Sequence, residues 1–253
     1  MPAAGNPVPF AERDFRATRP GFEKLEAGHC VPRHAHLSAY VSIIIDGSYE
    51  QAGYAGRMKM EPGDVLVQPL LDRHESRAAR GISPHILRLA WFADPGNGGV
   101  HRPRDVDLII RTARRDAREA SELLREMIGG ASADDPLRRD WPDLLAAQLR
   151  TDRPRLEDWA AEHGLARETV SRGFRLAFGV APRDFAIQYR DRRAWIRITT
   201  STDRLSDIAA DLGYADQAHM TRAVSVLSGM PPAKLRKWIS GGGRDTGLGA
   251  RLF

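Results

Sequence analysis

The feature that most constrains the fold is a segment that occurs twice in the last hundred residues. Residues 164–182, GLARETVSRGFRLAFGVAP, and residues 213–232, GYADQAHMTRAVSVLSGMPP, carry apolar, glycine, polar and arginine positions in the same order. Up to the first glycine of each copy the equivalent positions lie 49 residues apart, and beyond the turn they lie 50 apart. An internal duplication of this kind predicts two copies of one small structural unit.

Each copy has the pattern of a helix, a glycine-containing turn and a second helix. In the first copy, Val170 and Phe174 recur at helical spacing, and in the second copy Met220, Val224 and Leu227 do so, which predicts the buried face of each second helix. The shorter preceding helix of the first copy is predicted to face inward through Leu156, Trp159, Ala160 and His163. This pattern is typical of a helix-turn-helix unit, whose second helix enters the major groove of DNA.

The outward faces of the two second helices supply the candidate DNA-binding residues. Arginine can donate two hydrogen bonds to guanine, glutamine can pair with adenine, and serine or threonine suits several bases. Between the copies, residues 182–201 predict a helix of about 17 residues, roughly 25 Å long. A rod of that length could hold two reading helices about one DNA turn apart. The candidates are Glu168, Ser171, Arg172 and Arg175 in the first copy and Gln217, Ala218, His219, Thr221 and Arg222 in the second.

Charge is distributed unevenly along the 253 residues. Residues 151–253 hold 17 Lys and Arg against 12 Asp and Glu, whereas the two signs balance in residues 1–100 and in residues 101–150. The surplus favours double-stranded DNA as the partner of the last hundred residues, although a solvated basic face, or a repeat that only packs helices, would fit as well. The absence of a long apolar run, and a single cysteine, Cys30, predict a cytoplasmic protein with no membrane partner.

The region from Leu156 to Lys237 resembles the DNA-binding domain of AraC/XylS-type transcription regulators. The resemblance lies in LEDWAAEHGL, VSRGFRLAFGVAPRDF, DRLSDIAADLGYADQAHMTRA and SGMPPAKLRK, which occur in the family's order. It implies that the candidates above other than Arg175 contact base edges, with Arg172 and Arg222 as the first choices, and that RNA polymerase is a further partner. The chain departs from the family at Met220 and Val224, where aromatics are usual, and at Asp191, where an apolar residue is usual.

The front of the chain has the pattern of a β-barrel. Short apolar runs such as AYVSIIID, GDVLVQP and HILRLAWF alternate with Gly, Pro and Asp between about residues 31 and 92. We therefore expect an α+β protein of two domains. An effector-sensing cupin-like barrel is expected at residues 10–100, linker helices at 101–150, the double helix-turn-helix domain at 151–240 and a flexible tail at 241–253.

Histidines mark a candidate pocket in that barrel. His34, His36 and Tyr40 share parity and would face one way along a regular strand, and His74 ends the next such segment. The two segments resemble the two cupin motifs, with Tyr40 at the usual glutamate position and Leu71 at a usual glycine. No cofactor is certain from the sequence, but three imidazoles can hold Zn²⁺ with water or a small ligand completing the shell. The alternatives are hydrogen-bonded pocket histidines that bind a small-molecule effector, or a metal-dependent oxygenase or isomerase fused to the DNA-binding domain.

Between the two regions, apolar residues recur at helical spacing from Val106 to Met127. The stripe runs through Val106, Ile110, Ala113, Ala117, Ala120, Leu124 and Met127 and is rich in alanine at its centre. It predicts either a homodimer contact, which would give two-fold symmetry and two DNA half-sites, or packing against the chain's own barrel.

Overall fold

The computed structural model describes residues 20–36, 38–91, 98–128 and 140–240. The predicted tail at 241–253 lies outside the described residues, as do the first ten residues of the predicted barrel domain. No helix in the described ranges combines the length and the apolar composition that crossing a membrane requires.

Nine strands form two antiparallel sheets in the first part of the described chain. The five-stranded sheet has the order β1 (Gly21–Lys24), β8 (His85–Ala90), β3 (Tyr40–Asp46), β6 (Val65–Gln68) and β9 (Gly99–His101). The four-stranded sheet has the order β2 (Cys30–His34), β7 (His74–Ala78), β4 (Tyr49–Gly53) and β5 (Gly56–Met60). This pair of sheets, followed in the described residues by helices, confirms the predicted fold class.

Strand β3 is apolar along most of its length because both of its faces are covered. Its even-numbered side, with Ile44, joins a cluster between the two sheets, whereas Val41 and Ile43 face a layer of helices on the outside. Consecutive buried residues therefore replace the alternation that a strand with one solvated face would show.

Two helices, α1 (Val106–Ala113) and α2 (Ala117–Ile128), form that outer layer. The apolar stripe is thus divided between two helices, and the second begins where the Asp116 carboxylate accepts the backbone N–H groups of Arg118 and Glu119, at 2.8 and 3.0 Å. Ala120 and Leu124 are fully buried against strands of the chain's own barrel, so these two residues are already used within the chain. The homodimer remains a prediction that would have to use other surfaces.

The remaining described residues form seven helices. They are α3 (Trp141–Thr151), α4 (Leu156–Glu162), α5 (Arg167–Phe178), α6 (Pro182–Thr200), α7 (Leu205–Asp211), α8 (Gln217–Ser228) and α9 (Pro232–Ser240). We call α4 and α5 the first head and α7 and α8 the second head. Helix α6 belongs to both cores, since Phe185 near its start packs in the first head and Trp195 near its end packs in the second. At 19 residues, α6 is about 28 Å long.

Candidate nucleic-acid interface and barrel pocket

The two heads repeat each other closely. The first helix has seven residues in both heads and the second has twelve, and the turn of the second head is one residue longer. Left-handed glycines occupy equivalent places: Gly164 (φ 65°) and Gly213 (φ 70°) lie in the turns, and Gly179 (φ 68°) and Gly229 (φ 70°) end the second helices. A side chain at these φ values would be strained, so glycine is the residue that lets each helix end sharply.

The inner faces follow the sequence pattern with one exception. Val170, Phe174, Met220 and Val224 are fully buried, so the apolar residues that replace the family's aromatics in the second head still fill its core. The inward placement predicted for His163 is wrong. This residue is exposed at the end of α4, where its ring stacks on Trp159 with the ring centroids 3.8 Å apart.

The outer face of α5 presents unpaired positive charge. Arg172 and Arg175 are exposed, and neither makes an ion pair or a hydrogen bond with any residue that the structure describes. Ser171, one position before Arg172, is half-buried. Glu168 is exposed near the start of α5, with its carboxylate 3.9 Å from the guanidinium of Arg167. Guanidinium groups without protein partners keep all their donors available for phosphates or base edges.

The outer face of α8 is less charged. Arg222 is exposed and, within the described ranges, has no ion-pair or hydrogen-bond partner, as at the equivalent Arg172. Gln217 and Ala218 are exposed at the start of the helix, whereas Thr221 is half-buried. His219 is also half-buried, and its ring packs edge-on against Tyr214, with the centroids 5.3 Å apart. This contact ties His219 to the turn and leaves less of its ring for a base.

The unexpected acid on the linking helix has a structural role. Asp191 accepts a hydrogen bond from the Tyr214 hydroxyl at 2.7 Å and lies 3.2 Å from Nε of Arg190. The guanidinium of Arg190 in turn lies 3.9 Å from the centre of the Tyr214 ring. Burial and the Asp191 carboxylate raise the pKa of Tyr214, so its hydroxyl stays protonated as a donor. These three residues fasten the turn of the second head to α6.

A comparison with family descriptions identifies this region. Residues 159–237 match the family described as "Helix-turn-helix domain". The segment is an AraC-type helix-turn-helix domain. It contains the second head entire and most of the first, together with α6 and part of α9. The match confirms the prediction of a DNA-binding transcription regulator, while the individual base-contacting residues stay predictions.

Solved structures resemble the chain at low sequence identity. ToxT from Vibrio cholerae O395 has a TM-score of 0.37 and 10% identity, and the alignment covers 88% of this chain and 98% of ToxT. An AraC-type regulator from Chromobacterium violaceum has a TM-score of 0.34 and 18% identity over 39% of this chain and 88% of its own. The DNA-binding domain of AdpA, solved with a target DNA, has a TM-score of 0.37 and 23% identity over 41% of this chain and 97% of its own. No curated protein matches the sequence.

Ahead of the helix-turn-helix domain, three histidines meet between the two sheets of the barrel. His34, His36 and His74 are buried, and one ring nitrogen of each lies within 4.8 Å of those of the other two. The Nε2 atoms of His34 and His36 are 3.0 Å apart. Tyr40 completes the cluster, with its hydroxyl 3.4 Å from Nε2 of His74. The predicted site residues of the barrel are therefore brought together.

The reason predicted for this convergence is wrong. His34 ends β2 in one sheet, His36 lies in the connection that follows, and Tyr40 begins β3 in the other sheet. The register of β2 against β7 also shifts between Val31 and His34. The side chains meet because the chain crosses between sheets at this point, whereas parity along one strand would have required a single regular element.

Backbone carbonyls fix the protonation of two of the rings. Nδ1 of His34 lies 2.8 Å from the carbonyl oxygen of Pro32, and Nδ1 of His74 lies 3.0 Å from that of Asp72. A carbonyl only accepts, so each Nδ1 carries the proton, and the Nε2 of a neutral ring then keeps a lone pair directed into the cluster. Burial lowers the pKa of His74 to about 3, which makes its ring neutral at physiological pH.

Two contacts between the barrel and the helix-turn-helix domain were not predicted from the sequence. On β2, Arg33 donates to Oε1 of Gln188 at 3.1 Å and to the carbonyl oxygen of Phe178, the last residue of α5, at 3.2 Å. In the connection after β6, Leu71 lies within the apolar core of the second head. An unusual residue at a turn glycine was the only sequence signal for the second contact, and the first had none.

Proposed function

We propose that the protein reads a specific DNA sequence by placing α5 and α8 in successive major grooves of one duplex. The observation that supports this most directly is the pair of equivalent exposed arginines, Arg172 and Arg222, neither of which has a partner within the described residues. Arg175 and Gln217 flank them as further donors. The shared helix α6, at about 28 Å, is close to the ~34 Å repeat of two grooves on one face of DNA.

The experiment is selection of bound duplexes from a random library by the full-length chain, followed by affinity measurements on the selected sequence. Arg172→Ala and Arg222→Ala should each weaken binding by about 1–3 kcal/mol and relax the selection at one base position. Arg111→Ala, which removes an exposed arginine on α1, is the matched control and should leave the affinity unchanged. If both head variants select and bind the same duplex as well as the parent chain, these two residues do not read bases.

A second part of the proposal is that an effector in the barrel regulates DNA binding. Alternate residues of β2 face in opposite directions, so His34 lies in the histidine cluster while Arg33 reaches the helix-turn-helix domain. The Arg33 cation sits at the C-terminal end of α5, where the helix dipole favours positive charge. A ligand that shifts the end of β2 would therefore act on the first reading helix through one peptide unit.

The connection after β6 gives a similar route to the second head. The backbone N–H of Leu71 donates to the carbonyl oxygen of His36 at 2.8 Å, and its side chain is buried beside Trp195 and Met220. The carbonyl oxygen of Leu70 accepts a hydrogen bond from Nε of Arg192 on α6 at 3.1 Å. Both heads are thus joined to residues that neighbour the histidine cluster, as a coupling between two sites requires.

The donor set of the cluster also fits a divalent metal. His34 and His74 direct Nε2 lone pairs inward while carbonyls hold their Nδ1–H groups, the arrangement that orients metal-binding imidazoles. The 3.0 Å between Nε2 of His34 and of His36 is near the ~3.3 Å that separates two nitrogen ligands of tetrahedral zinc. His34, His36 and His74 would hold the ion, which would supply a Lewis-acidic position to a small ligand.

Elemental analysis of untagged protein tests this. We expect about one equivalent of metal, lost in a variant with all three histidines replaced by alanine, and a metal-dependent rise in thermal stability. Metal-free protein with the same stability and the same regulated DNA binding would exclude the ion. A barrel that turns over a substrate in the presence of the metal would favour the fused-enzyme alternative.

A further inference from the structure

The barrel contains a cavity whose charge indicates the kind of ligand it takes. It lies between the two sheets, has a volume of about 460 Å³ and is bounded by the histidine cluster on one side. Its size is within the range of small-molecule sites in proteins. The wall is apolar at Phe22, Leu25, Val31 and Ile86, and Arg88 on β8 is the only cation that lines it among the described residues.

Arg88 has room inside the barrel because its neighbours on adjacent strands are small. It pairs in register with Gly21 on β1 and with Ser42 on β3. The guanidinium carbon lies 5.6 Å from the centre of the Tyr40 ring, and the side chain is only 21% exposed. A cation this deep in a barrel is expensive to desolvate unless an anion compensates it.

The compensation that the protein itself provides is incomplete. Nε of Arg88 lies 2.9 Å from a carboxylate oxygen of Glu23, but this buried donor makes no directed hydrogen bond. The two terminal nitrogens have no hydrogen-bond partner among the residues that the structure describes. Glu23 is 44% exposed on β1, which among the described strands lies at the edge of its sheet and pairs only with β8. A carboxylate that enters the cavity could accept hydrogen bonds from the guanidinium N–H groups that Glu23 leaves unused.

Hydroxyl groups beside Arg88 add neutral donors. The hydroxyls of Ser42 and Tyr49 line the cavity. Burial raises the pKa of Tyr49 to about 12, so this phenol stays protonated. Among the described residues, Glu23 is the only acid that lines the cavity. The site therefore offers one positive charge and several neutral donors, which suits a monoanion better than a doubly charged phosphate ester.

We propose that this cavity binds a small organic monocarboxylate, with its carboxylate on Arg88 in competition with Glu23 and its carbon skeleton against Phe22, Leu25 and Ile86. The inference rests on the proposed function, since it assigns the chemical class of the effector whose pocket regulates DNA binding. It does not require a metal on the histidines.

The test compares carboxylates with their uncharged amides on the full-length protein. Benzoate and the straight-chain acids from butanoate to decanoate, each at 10 mM, are set against benzamide and the matching alkyl amides. At least one acid should raise the melting temperature saturably, by about 3–6 °C for a ligand with a Kd of about 1 mM, and its amide should not. If no acid stabilises the protein more than its amide, or if phenyl phosphate stabilises it more than benzoate, the assignment is wrong.

Two variants locate the effect. Glu23→Gln removes the competing carboxylate and should tighten acid binding by about tenfold, whereas Arg88→Gln should abolish it. Arg77→Gln is the matched control, because Arg77 is also a strand arginine paired with a glutamate, at 3.1 Å, but lies outside the cavity. Unchanged acid binding in Glu23→Gln would overturn the proposal even if Arg88→Gln failed to fold.

DNA binding is measured separately so that the two proposals can fail independently. Loss of acid binding in a protein that still selects its duplex removes only the carboxylate assignment. Acid binding with an Arg88-dependent shift in melting temperature, in a chain that selects no duplex, keeps the carboxylate site and removes the regulator mechanism.

Discussion

Leu71 gives the most specific prediction, because this residue belongs to the barrel, has a strained backbone and packs in the core of the second head. Among the described residues it is the only one other than glycine with a positive φ, 57°. Its side chain is 2% exposed, in the core that includes Trp195, Met220 and Val224. The same position thus carries a conformational cost, which glycine would relieve, and an apolar contact, which glycine would remove.

The two effects can be separated because alanine and glycine both remove the apolar contact, whereas only glycine relieves the left-handed strain. Truncation of a buried leucine to alanine costs about 2–5 kcal/mol through lost burial and the cavity left behind. Alanine keeps a Cβ and therefore keeps the left-handed strain of about 1 kcal/mol, which glycine does not have. We therefore expect Leu71→Ala to lower the free energy of unfolding by about 2–5 kcal/mol and Leu71→Gly to lower it by about 1 kcal/mol less.

Urea unfolding followed by circular dichroism measures both variants, with Leu66 as the matched control. Leu66 is also 2% exposed, but it lies within the regular strand β6, where glycine costs more than alanine. The order of the two substitutions should therefore reverse between the sites. Amide exchange in α8 and α9 should also accelerate in Leu71→Ala and not in Leu66→Ala. A Leu71→Gly variant less stable than Leu71→Ala would refute the strain argument.

Three further predictions test the two heads and the linking helix. Phe174→Ala, at a fully buried position, should lower the free energy of unfolding by about 3–5 kcal/mol, whereas Leu176→Ala on the same helix, where the side chain is 76% exposed, should change it by less than about 0.5 kcal/mol in urea titrations. Gly173→Ala should destabilise by about 1–3 kcal/mol in calorimetry, although alanine usually favours a helix, because the new Cβ would lie 2.5 Å from the Trp141 ring; a gain in stability would show that α3 moves away without cost. Tyr214→Phe should lower the free energy of unfolding by about 1–2 kcal/mol, because it removes the hydrogen bond that the hydroxyl donates to the Asp191 carboxylate at 2.7 Å, and this loss should vanish in an Asp191→Ala background, which has no acceptor.

The helical half was predictable because its information is local. Helical spacing and turn glycines are properties of consecutive residues. The duplication also gave two predictions of the same unit, and these agree at equivalent buried positions such as Phe174 and Val224. The exception at Gly173 is instructive. The equivalent residue of the second head is Ala223, and the first head needs glycine because Trp141, from a helix outside the repeat, covers that position. A repeat predicts its own fold but not what packs against only one of its copies.

The barrel was predictable in class but not in its connections. Short apolar runs predicted a pair of sheets, yet the meeting of His34, His36 and His74 depends on a crossing between sheets that no strand pattern encodes. The sequence did not mark Arg88 as a pocket residue, because a single arginine in an apolar run is common. Its place inside the barrel depends on its small in-register neighbours, Gly21 and Ser42, which only the strand pairing reveals. Leu71 was visible as a departure from a glycine position, but its contact with the second head depends on a fold of more than a hundred intervening residues.

The position of Arg33 explains why the barrel and the heads should behave as one unit. Its guanidinium lies 5.4 Å from the ring centres of both Tyr54 in the barrel and Phe185 on α6, and it donates to acceptors on α5 and α6. Separating the two parts would break both of these hydrogen bonds, which are worth about 1.5–3 kcal/mol each because the donor is charged. Coupling between two sites is reciprocal, so under the proposed regulation DNA that holds α5 and α6 in place would also favour one arrangement of β2, and with it one shape of the cavity.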